Sequence, residues 1–407
     1  MLTLNQAIDT VLAEVRPLGP VEVPLLEAFG RALAADIISP EEVPPFDNSA
    51  MDGFALRADD SAIAAGLKVA LEIPAGTVAP RALRSGEAAR IMTGAPLPAG
   101  ADTVVPVEDT RESDGAVFFT APPRAGANVR RAAEDIVRGS LLLPAGTALG
   151  AAEVGLLASV GVQQVPVARR PRVAMLATGS ELVPLDGPVG PGQIRNSNSY
   201  TAYGQVMAAG AEPLLLGIAR DDRDETRRLI ESALEEDVVI TSGGVSVGDY
   251  DFVKDVQDEL GVERRFWRVR TKPGKPVAFG VRGDTLVFGA PGNPVAAMVS
   301  FELYMRPALL ALQGRHDLWR PYVMAAAAEP VKATKDRVEA RRCRLERDGD
   351  VWRFSTTGPQ GSGILRSMAL ADGLAFVPSG HPGGPIGERH LVMLLDGTRP
   401  ERPPFPD

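Results

Sequence analysis

The stretch whose residue types are best suited to chemistry runs from Asp237 to Leu260. It opens with the apolar, β-branched run DVVIT, which is typical of a strand buried on both faces. Ser242-Gly243-Gly244 then interrupts the strand, because paired glycines adopt backbone angles that other residues resist. Apolar residues next recur at helical spacing. Free loop amides and the positive end of this predicted helix together form a cradle for an anion.

Two carboxylates, Asp249 and Asp251, stand at the predicted start of that helix. Complementing the helix dipole explains either of them. Acidic residues beside a phosphate cradle also suit a divalent cation, since Mg²⁺ prefers a few carboxylates together with phosphate oxygens. The stretch by itself leaves both interpretations open.

The surrounding elements predict where this loop lies. Strand and helix patterns alternate from about residue 171 to 319, which indicates a mostly parallel sheet covered on both faces. Ligands bind beyond the carboxyl ends of the strands in such sheets. We therefore expect the polar loops after successive strands to converge: Thr178–Glu181, Asp221 with Asp222, Ser242–Asp251 and Pro291–Pro294.

The charges around these loops fall into two groups. The acids would repel one another and any phosphate unless a cation lies between them: Glu181, Asp221, Asp222, Asp249 and Asp251. The cations Arg268, Arg270 and Lys272 alternate at period two, so they share one face of a strand expected to end beside the cradle, and Lys275 follows. A solvated strand face explains the cations alone. With the cradle and the acids, they indicate an oxyanion site beside a metal–phosphate site.

Other segments indicate separate domains. The proline-rich stretch 38–57 marks a boundary, and alternating short apolar runs from about 67 to 130 predict a small β-rich domain. Thr3 and Gln6 form a capping box for an N-terminal helix, on which we expect the helix 151–161 to pack, making the β-rich domain an insertion. From about residue 320, a hairpin through Asp348 and Gly349 begins a second small β domain.

Whole-chain features exclude several classes of protein. The chain has 407 residues and a net charge of −9, so a nucleic-acid surface is not expected. The single cysteine, Cys343, excludes an internal disulfide and is interpreted as an apolar filler. Three histidines are scattered singly, a spacing from which no zinc site can be assembled. The N-terminus lacks a signal-peptide pattern and the apolar run Pro294–Leu312 is broken by charges, so we expect a cytoplasmic protein without a membrane partner.

Eight segments carry a resemblance to a known family: PPFDNSAMDGFALR (44–57), RIMTGAPLPAGAD (90–102), EDIVRG (134–139), ATGSEL (177–182), SGGVSVGDYDF (242–252), KPGKPVAFG (272–280), PGNPVA (291–296) and TGPQGSGILRSMA (357–369). The chain resembles the bacterial molybdopterin molybdenumtransferases, the molybdenum insertases whose eukaryotic counterpart is the E domain of gephyrin. The segments occur in the family's order over nearly the whole chain.

The resemblance implies a multidomain α/β plus β fold. A discontinuous N-terminal α/β domain would comprise residues 1–43 and 136–170, with a β-rich domain inserted at 44–135. A three-layer α/β molybdopterin-binding domain would span 171–319, and a C-terminal β-barrel domain 320–407. It also implies an elongated homodimer whose active site lies between the third domain of one subunit and the second domain of the other.

The implied reaction uses adenylated molybdopterin and molybdate as substrates and Mg²⁺ as cofactor. It hydrolyses the phosphoanhydride, inserts molybdenum into the dithiolene and releases AMP. A molybdopterin adenylyltransferase would be the upstream partner. Two alternatives remain: such an adenylyltransferase, which contains the same α/β module, or a non-enzymatic dimeric scaffold like the gephyrin E domain.

The resemblance also assigns roles to residues of this chain. Asp52, Thr93 and Asp135 would reach in from the second subunit, while Glu181, Asp221, Asp249 and Asp251 would serve Mg²⁺ and the anhydride. The remaining substrate-binding candidates hold the nucleotide phosphate, hold molybdate or shape a loop: Ser242, Gly243, Gly244, Ser246, Arg268, Lys272, Lys275, Pro291, Pro294, Arg341 or Arg342, and Ser362. Which of Asp249 and Asp251 binds metal, and which of the adjacent arginines binds molybdate, stays open.

Overall fold

The computed structural model describes residues 1–220, 222–243 and 252–406. Helix α1 (Leu4–Glu14) begins with the predicted capping box: the Gln6 amide donates to Thr3 Oγ1 at 3.3 Å, and the Thr3 amide donates to Gln6 Oε1 at 3.0 Å. Strands β1 (Pro20–Pro24) and β2 (Ile37–Ile38) follow, with a 3₁₀ turn at Leu25–Ala28 between them.

The inserted region forms the predicted small β domain. Its strands are β3 (Asn48–Ser49), β4 (Gly53–Leu56), β5 (Leu67–Ile73), β6 (Glu87–Ile91), β7 (Thr103–Pro106), β8 (Thr110–Ser113), β9 (Ala116–Phe119) and β10 (Val129–Arg130). One sheet has the order β7-β4-β6-β5-β9-β8, and β3 pairs with β10 beside it.

The chain segments on either side of this region pair with each other. Strand β11 (Leu141–Leu143) runs antiparallel to β2, and after helix α2 (Ala151–Ser159) strand β12 (Gln164–Ala168) runs antiparallel to β1. Helix α2 packs near the Leu25–Ala28 turn in a small core with Leu33 and Val165. The expectation that α2 packs on α1 was wrong, because the apolar face of α1 is buried in the larger core of the α/β region.

The α/β region contains the strands β13 (Arg172–Thr178), β14 (Leu182–Val183), β15 (Ile194–Arg195), β16 (Glu212–Ala219), β17 (Val238–Ser242), β18 (Glu263–Phe266), β19 (Thr271–Lys272), β20 (Ala278–Arg282) and β21 (Thr285–Ala290). Its helices are α3 (Asn198–Ala208), α4 (Arg223–Ala233), α5 (Phe252–Glu259), α6 (Pro294–Ser300) and α7 (Arg306–Leu312). The sheet order is β16-β13-β17-β21-β20-β18, with the first four strands parallel. The prediction of a mostly parallel sheet is confirmed.

Both faces of this sheet are buried, which explains why its strands read as nearly continuous apolar runs. Met175 and Ile240 point into a core shared with α1 and the C-terminal domain. Their neighbours Leu176 and Val239 point into a second core beneath α4 and α5. Because side chains alternate along a strand, β13, β17 and β21 each contribute to both cores.

The apolar helical run Pro294–Leu312 is a core element. Its most apolar window is long and apolar enough to cross a membrane by length and composition, yet 83% of that window is buried inside the protein. The run widens into a π turn at Phe301–Met305, just before Pro307, which has no amide N–H to donate to the preceding turn. The burial agrees with the interpretation of this run as a buried helix.

The C-terminal domain closes on itself. Its elements are β22 (Tyr322–Ala327), β23 (Val338–Asp348), β24 (Val351–Thr356), helix α8 (Arg366–Ala369), β25 (Gly373–Val377) and β26 (Arg389–Leu394). The strands pair in the ring β23-β24-β22-β26-β25 and back to β23, so the predicted barrel is confirmed. Burial of Cys343 in β23 raises the pKa of its thiol to about 12, in keeping with an apolar filler.

A buried charge network stabilises the π turn. Glu302 Oε2 accepts a hydrogen bond from Arg320 Nε at 2.9 Å and lies 4.0 Å from Arg306 Nε. Gln205 in α3 donates to Glu302 Oε1 at 3.0 Å. Burial lowers the pKa of Arg306 to about 10, with the charge of Arg320 acting in the same direction. Glu302 is therefore the counter-charge for two arginines at the junction of the α/β region and the barrel.

We expect Glu302→Gln to lower the free energy of unfolding by about 3 kcal/mol, because it leaves buried arginine charge without its partner. Urea denaturation followed by tryptophan fluorescence measures the change. Glu346→Gln, at an exposed position of β23, serves as the matched control. Equal stability of the two variants would show that Glu302 does not compensate the arginines.

Candidate active site

The cavity at the carboxyl edge of the parallel sheet brings the predicted loops together. Ala177 of β13 lies opposite Ser242 of β17, which lies opposite Ala290 of β21, so the three strands end at one level. A cavity of about 390 Å³ opens there, and the residues of its lining that matter for the site are Thr178, Glu181, Asn198, Ser242, Gly243, Pro294 and Gly363. The expected convergence is confirmed for Thr178, Glu181, Ser242, Gly243 and Pro294, whereas Asn198 and Gly363 lie outside the predicted loops.

Gly243 shows why this loop requires glycine. Its φ is +93°, and a Cβ built on it would lie 2.7 Å from Thr178 Oγ1 and 2.8 Å from the Thr178 carbonyl oxygen. Its amide donates to the carbonyl of Ala290 at 3.1 Å. The backbone after β17 therefore packs directly on both neighbouring strands, in a conformation that side chains resist.

Asn198 joins two of the predicted loops, and sequence reasoning missed it. Its Nδ2 donates to Ser242 Oγ at 2.8 Å and to the carbonyl oxygen of Gly292 at 2.8 Å. In the sequence, the polar run Ser197–Ser199 indicates only the cap of a helix. Asn198 could have been predicted as a site residue, because the helix that it opens begins at the same edge of the sheet as the cradle.

The acids have different surroundings. Glu181 is exposed in the turn between β13 and β14 and lines the cavity. Asp222 caps α4, since its Oδ1 accepts from the Glu225 amide at 2.7 Å. The other predicted site residues of these loops lie outside the described residues: Asp221, Gly244, Ser246, Asp249 and Asp251.

Lys272 and Arg341 lie side by side on β19 and β23, where they share one carboxylate. Lys272 Nζ is 2.8 Å from Glu339 Oε1, and Arg341 Nη2 is 2.9 Å from Glu339 Oε2. Burial acts to raise the pKa of Glu339, but the hydrogen bonds from Lys272 and Arg341 outweigh it and hold that pKa below its usual range. The three groups together carry one net positive charge.

The strand expected to carry the alternating cations is shorter than predicted. Strand β18 ends at Phe266, and β19 comprises only Thr271–Lys272, which pairs with β23 of the C-terminal domain rather than ending beside the cradle. The alternation itself is confirmed: Arg268, Arg270 and Lys272 are exposed, whereas Val269 and Thr271 are buried. The strand is shorter than predicted because this segment crosses from the α/β sheet to the barrel.

Arg342 has a different environment from its neighbour. It is 1% exposed, and its guanidinium donates to Ser367 Oγ at 3.0 Å and to the carbonyl oxygen of Gly361 at 2.9 Å. Its amide donates to Gln360 Oε1 at 2.9 Å. Arg342 therefore holds the loop that leads into Ser362.

That loop meets the α/β region at the start of α6. The Ser362 carbonyl accepts a hydrogen bond from the amide of Val295 at 3.0 Å, so the C-terminal domain satisfies an otherwise unpaired donor of the first helical turn. Pro294 occupies the first position of this helix, and Pro291 is buried directly after β21.

Lys275, another predicted site residue, makes a backbone contact with the segment before it. Its carbonyl oxygen accepts a hydrogen bond from the Val269 amide at 3.1 Å.

Asp52 and Thr93 form a separate cluster in the inserted domain. The amide and the hydroxyl of Thr93 donate to Asp52 Oδ1 at 2.7 and 2.9 Å, and these bonds lower the pKa of the Asp52 carboxyl. Asp135 is exposed, and its amide donates to the Val43 carbonyl at 3.0 Å. Among the described residues, no hydrogen bond or ion pair joins these three side chains to the cavity.

The fold and this cavity define a class: a multidomain protein whose mostly parallel α/β domain has a polar cavity at the carboxyl edge of its sheet. Three family models match it. They are the MoeA N-terminal region (domains I and II) over residues 2–161, the probable molybdopterin binding domain over 174–311, and the MoeA C-terminal region (domain IV) over 324–395.

Full-length relatives give the family. A molybdopterin molybdenumtransferase of Bacillus subtilis is 41% identical over 387 residues, covering 92% of this chain and 89% of that protein. One from Nostoc is 39% identical over 384 residues, covering 92% and 88%. A crystal structure of a molybdopterin biosynthesis MoeA protein from Pyrococcus horikoshii superposes with a TM-score of 0.83 at 29% identity, covering 97% of this chain and 100% of that one. The chain belongs to the MoeA family of molybdopterin molybdenumtransferases.

Proposed function

We propose that this protein inserts molybdenum from molybdate into adenylated molybdopterin, with hydrolysis of the phosphoanhydride and release of AMP. Relatives named molybdopterin molybdenumtransferase, at about 40% identity over most of the chain, support a transferase role in molybdenum cofactor biosynthesis. The observation that carries the finer proposal is the cradle. Ser242 ends β17 and Gly243 follows it. Asn198 ties Ser242 to the Gly292 loop, and Glu181 lines the same cavity.

The cradle is suited to a phosphate group. Because Ser242 Oγ accepts its hydrogen bond from Asn198, its own hydroxyl proton can be donated to a phosphate oxygen. Gly243 allows the loop to pack against Thr178 in a backbone conformation that other residues resist. These groups position the anhydride and stabilise charge that develops on its oxygens, which is what phosphoryl chemistry requires.

The donor set of the cavity fits Mg²⁺. Glu181 supplies an exposed carboxylate oxygen at the cavity that holds the cradle, and a hard cation prefers such ligands together with phosphate oxygens. Asp221, Asp249 and Asp251 are proposed as the other carboxylates. When bound, Mg²⁺ would neutralise the charge of the anhydride.

The molybdate site is proposed to lie at Lys272 and Arg341. A tetrahedral dianion suits ammonium and guanidinium donors, and these two already lie together on β19 and β23. Arg341 is favoured over Arg342, whose donors are directed to carbonyl oxygens of the 359–361 loop and to Ser367. Arg268, Lys275 and Ser362 are proposed to border the same anion.

Asp52, Thr93 and Asp135 are proposed to complete the site of a second subunit in a homodimer. In support, Asp52 and Asp135 are exposed, and Asp52 is held ionised by Thr93. A cytoplasmic location and a molybdopterin adenylyltransferase as upstream partner remain predictions. The second follows from chemistry, since an adenylated substrate must be supplied by an adenylylating enzyme.

The proposed reaction is tested directly by incubating the protein with adenylated molybdopterin, molybdate and Mg²⁺. We expect AMP release together with pterin-bound molybdenum, without ATP, and excess EDTA should abolish both because the anhydride charge is no longer neutralised. AMP is quantified by chromatography and the metal by mass spectrometry. Full turnover in EDTA would contradict the metal requirement, and ATP-dependent formation of the adenylated pterin would instead identify an adenylyltransferase.

The shared site is tested with two complementary variants. Asp52→Asn and Glu181→Gln should each lower AMP release by about 100-fold, the loss expected when a charge-stabilising group is removed. Mixed dimers carrying one variant in each subunit should regain partial activity, because one of their two sites is then intact. Asp59→Asn, at another exposed position of the inserted domain, is the control. Inactive mixed dimers of verified composition would place Asp52 and Glu181 in the same chain's site.

Lys272→Ala tests the anion site. Removing one charge-assisted hydrogen bond costs about 1.5 kcal/mol or more, so molybdate affinity should fall by at least about tenfold. The affinity for adenylated molybdopterin should change little, since backbone amides and Ser242 hold its phosphates. Titration of both ligands against this variant and against Lys68→Ala, a remote exposed lysine, decides the assignment. Equal losses for both ligands would place Lys272 at the nucleotide, and no loss would leave it as a surface residue.

A further inference from the structure

Three side chains of the barrel domain that are distant from the cavity gather at the start of β26. They are His381 and Glu388, on the connection between β25 and β26, and His390 on β26 itself. One ligand atom from each lies within 4.8 Å of the others. The expectation from sequence spacing, that the histidines stand singly, holds for His316 but not for this pair.

His390 provides the strongest indication of a missing ligand. Its side chain is 4% exposed, and its Nδ1 lies 3.3 Å from the carbonyl oxygen of Phe376. A carbonyl only accepts, so Nδ1 carries the hydrogen and the Nε2 of the neutral ring is an acceptor. That Nε2 is buried without a hydrogen-bond partner.

Glu388 presents a second unsatisfied acceptor to the same point. Its Oε2 lies 3.5 Å from His390 Nε2 and is likewise buried without a hydrogen-bond partner. Two lone pairs that face each other away from water are unfavourable unless a positive centre lies between them. A metal cation supplies such a centre.

His381 completes a set of three donors. Its Nε2 lies 2.8 Å from Glu388 Oε1, while its Nδ1 accepts a hydrogen bond from the Gly383 amide at 3.1 Å. Coordination through Nε2 requires the tautomer with hydrogen on Nδ1. A metal ion at Nε2 would therefore take the place of the hydrogen bond from Nε2 to Glu388 Oε1. The proton would move to Nδ1, which would give up the hydrogen bond from Gly383.

The surrounding residues hold the three donors in place. A Cβ on Gly384 would lie 1.4 Å from Glu388 Oε2, so only glycine leaves room for the carboxylate. The His381 amide donates to Thr334 Oγ1 at 2.9 Å, and the ring of Phe354 packs edge-on against His390 with centroids 5.9 Å apart. These contacts fix the loop and the strand relative to each other.

We propose that His381, Glu388 and His390 bind a divalent transition-metal ion of the Zn²⁺ type. Two imidazoles and one carboxylate form a donor set that zinc commonly uses, with a fourth position left for water. The hydrogen bond from His390 Nδ1 to a backbone carbonyl is the support that metal-bound histidines usually have. Nitrogen donors distinguish this site from the oxygen-lined Mg²⁺ site proposed at Glu181.

The experiment uses the full-length protein, stripped with a chelator and titrated with Co²⁺ and then Zn²⁺ in the absence of substrates. We expect one ion per chain, the visible absorption of low-symmetry Co²⁺, and its loss on adding Zn²⁺. Glu388→Gln and His381→Gln should each lower Zn²⁺ affinity by about 100-fold or more, since even outer partners of a metal site contribute 10- to 100-fold. His316→Gln, at an exposed histidine elsewhere, should bind like the unaltered protein.

Thermal unfolding separates loss of the site from loss of the fold. Zn²⁺ should raise the melting temperature of the unaltered protein and of His316→Gln but not of Glu388→Gln, whose circular dichroism should be unchanged. Folded protein that takes up no Co²⁺, or Zn²⁺ binding unaffected by both Glu388→Gln and His381→Gln, would overturn the proposal. Neither outcome depends on Mg²⁺, molybdate or pterin, so the proposed function is tested separately.

Discussion

The structure depends on one constraint: a parallel sheet buried on both faces must place all its strand ends at common edges. In this protein β13, β17 and β21 end together, with Ser242 between Ala177 and Ala290. The loops that follow these strands therefore lie close together, however far apart they are in the sequence. The sheet that forms the core therefore also positions the loops that line much of the cavity.

The C-terminal domain contributes to this edge through backbone contacts rather than through a large surface of its own. The Ser362 carbonyl binds an amide in the first turn of α6, and Arg342 holds the loop that precedes Ser362. A buried arginine whose donors meet carbonyl oxygens rigidifies a loop, because each broken bond would leave a buried polar group unpaired. The two neighbouring arginines thus have different partners. Arg342 fixes the loop, and Arg341 shares Glu339 with Lys272.

At three places in the molecule, a carboxylate is paired with nearby hydrogen-bond donors. Glu302 compensates buried arginines at the π turn, Glu339 binds Lys272 and Arg341, and Asp52 is stabilised by the amide and hydroxyl of Thr93. In each case a carboxylate accepts hydrogen bonds from close donors. In the barrel, by contrast, the buried acceptors His390 Nε2 and Glu388 Oε2 face each other without a donor. This is why we propose a cation there.

Local patterns in the sequence were sufficient to predict the mostly parallel sheet and the hairpin of the barrel, because strand alternation, turn residues and helical spacing are properties of short segments. The family was identified from the eight segments that resemble it. Alternation along β23 also shows that Arg341 and Arg342 point to opposite sides. Only the tertiary structure decided their partners, since Arg342 meets Ser367 and the Gly361 carbonyl whereas Arg341 binds Glu339. The bridge made by Asn198 and the meeting of His381 with His390 were likewise decided by packing between separate elements. No spacing in the sequence encodes such a distance, which is set when the elements fold against one another.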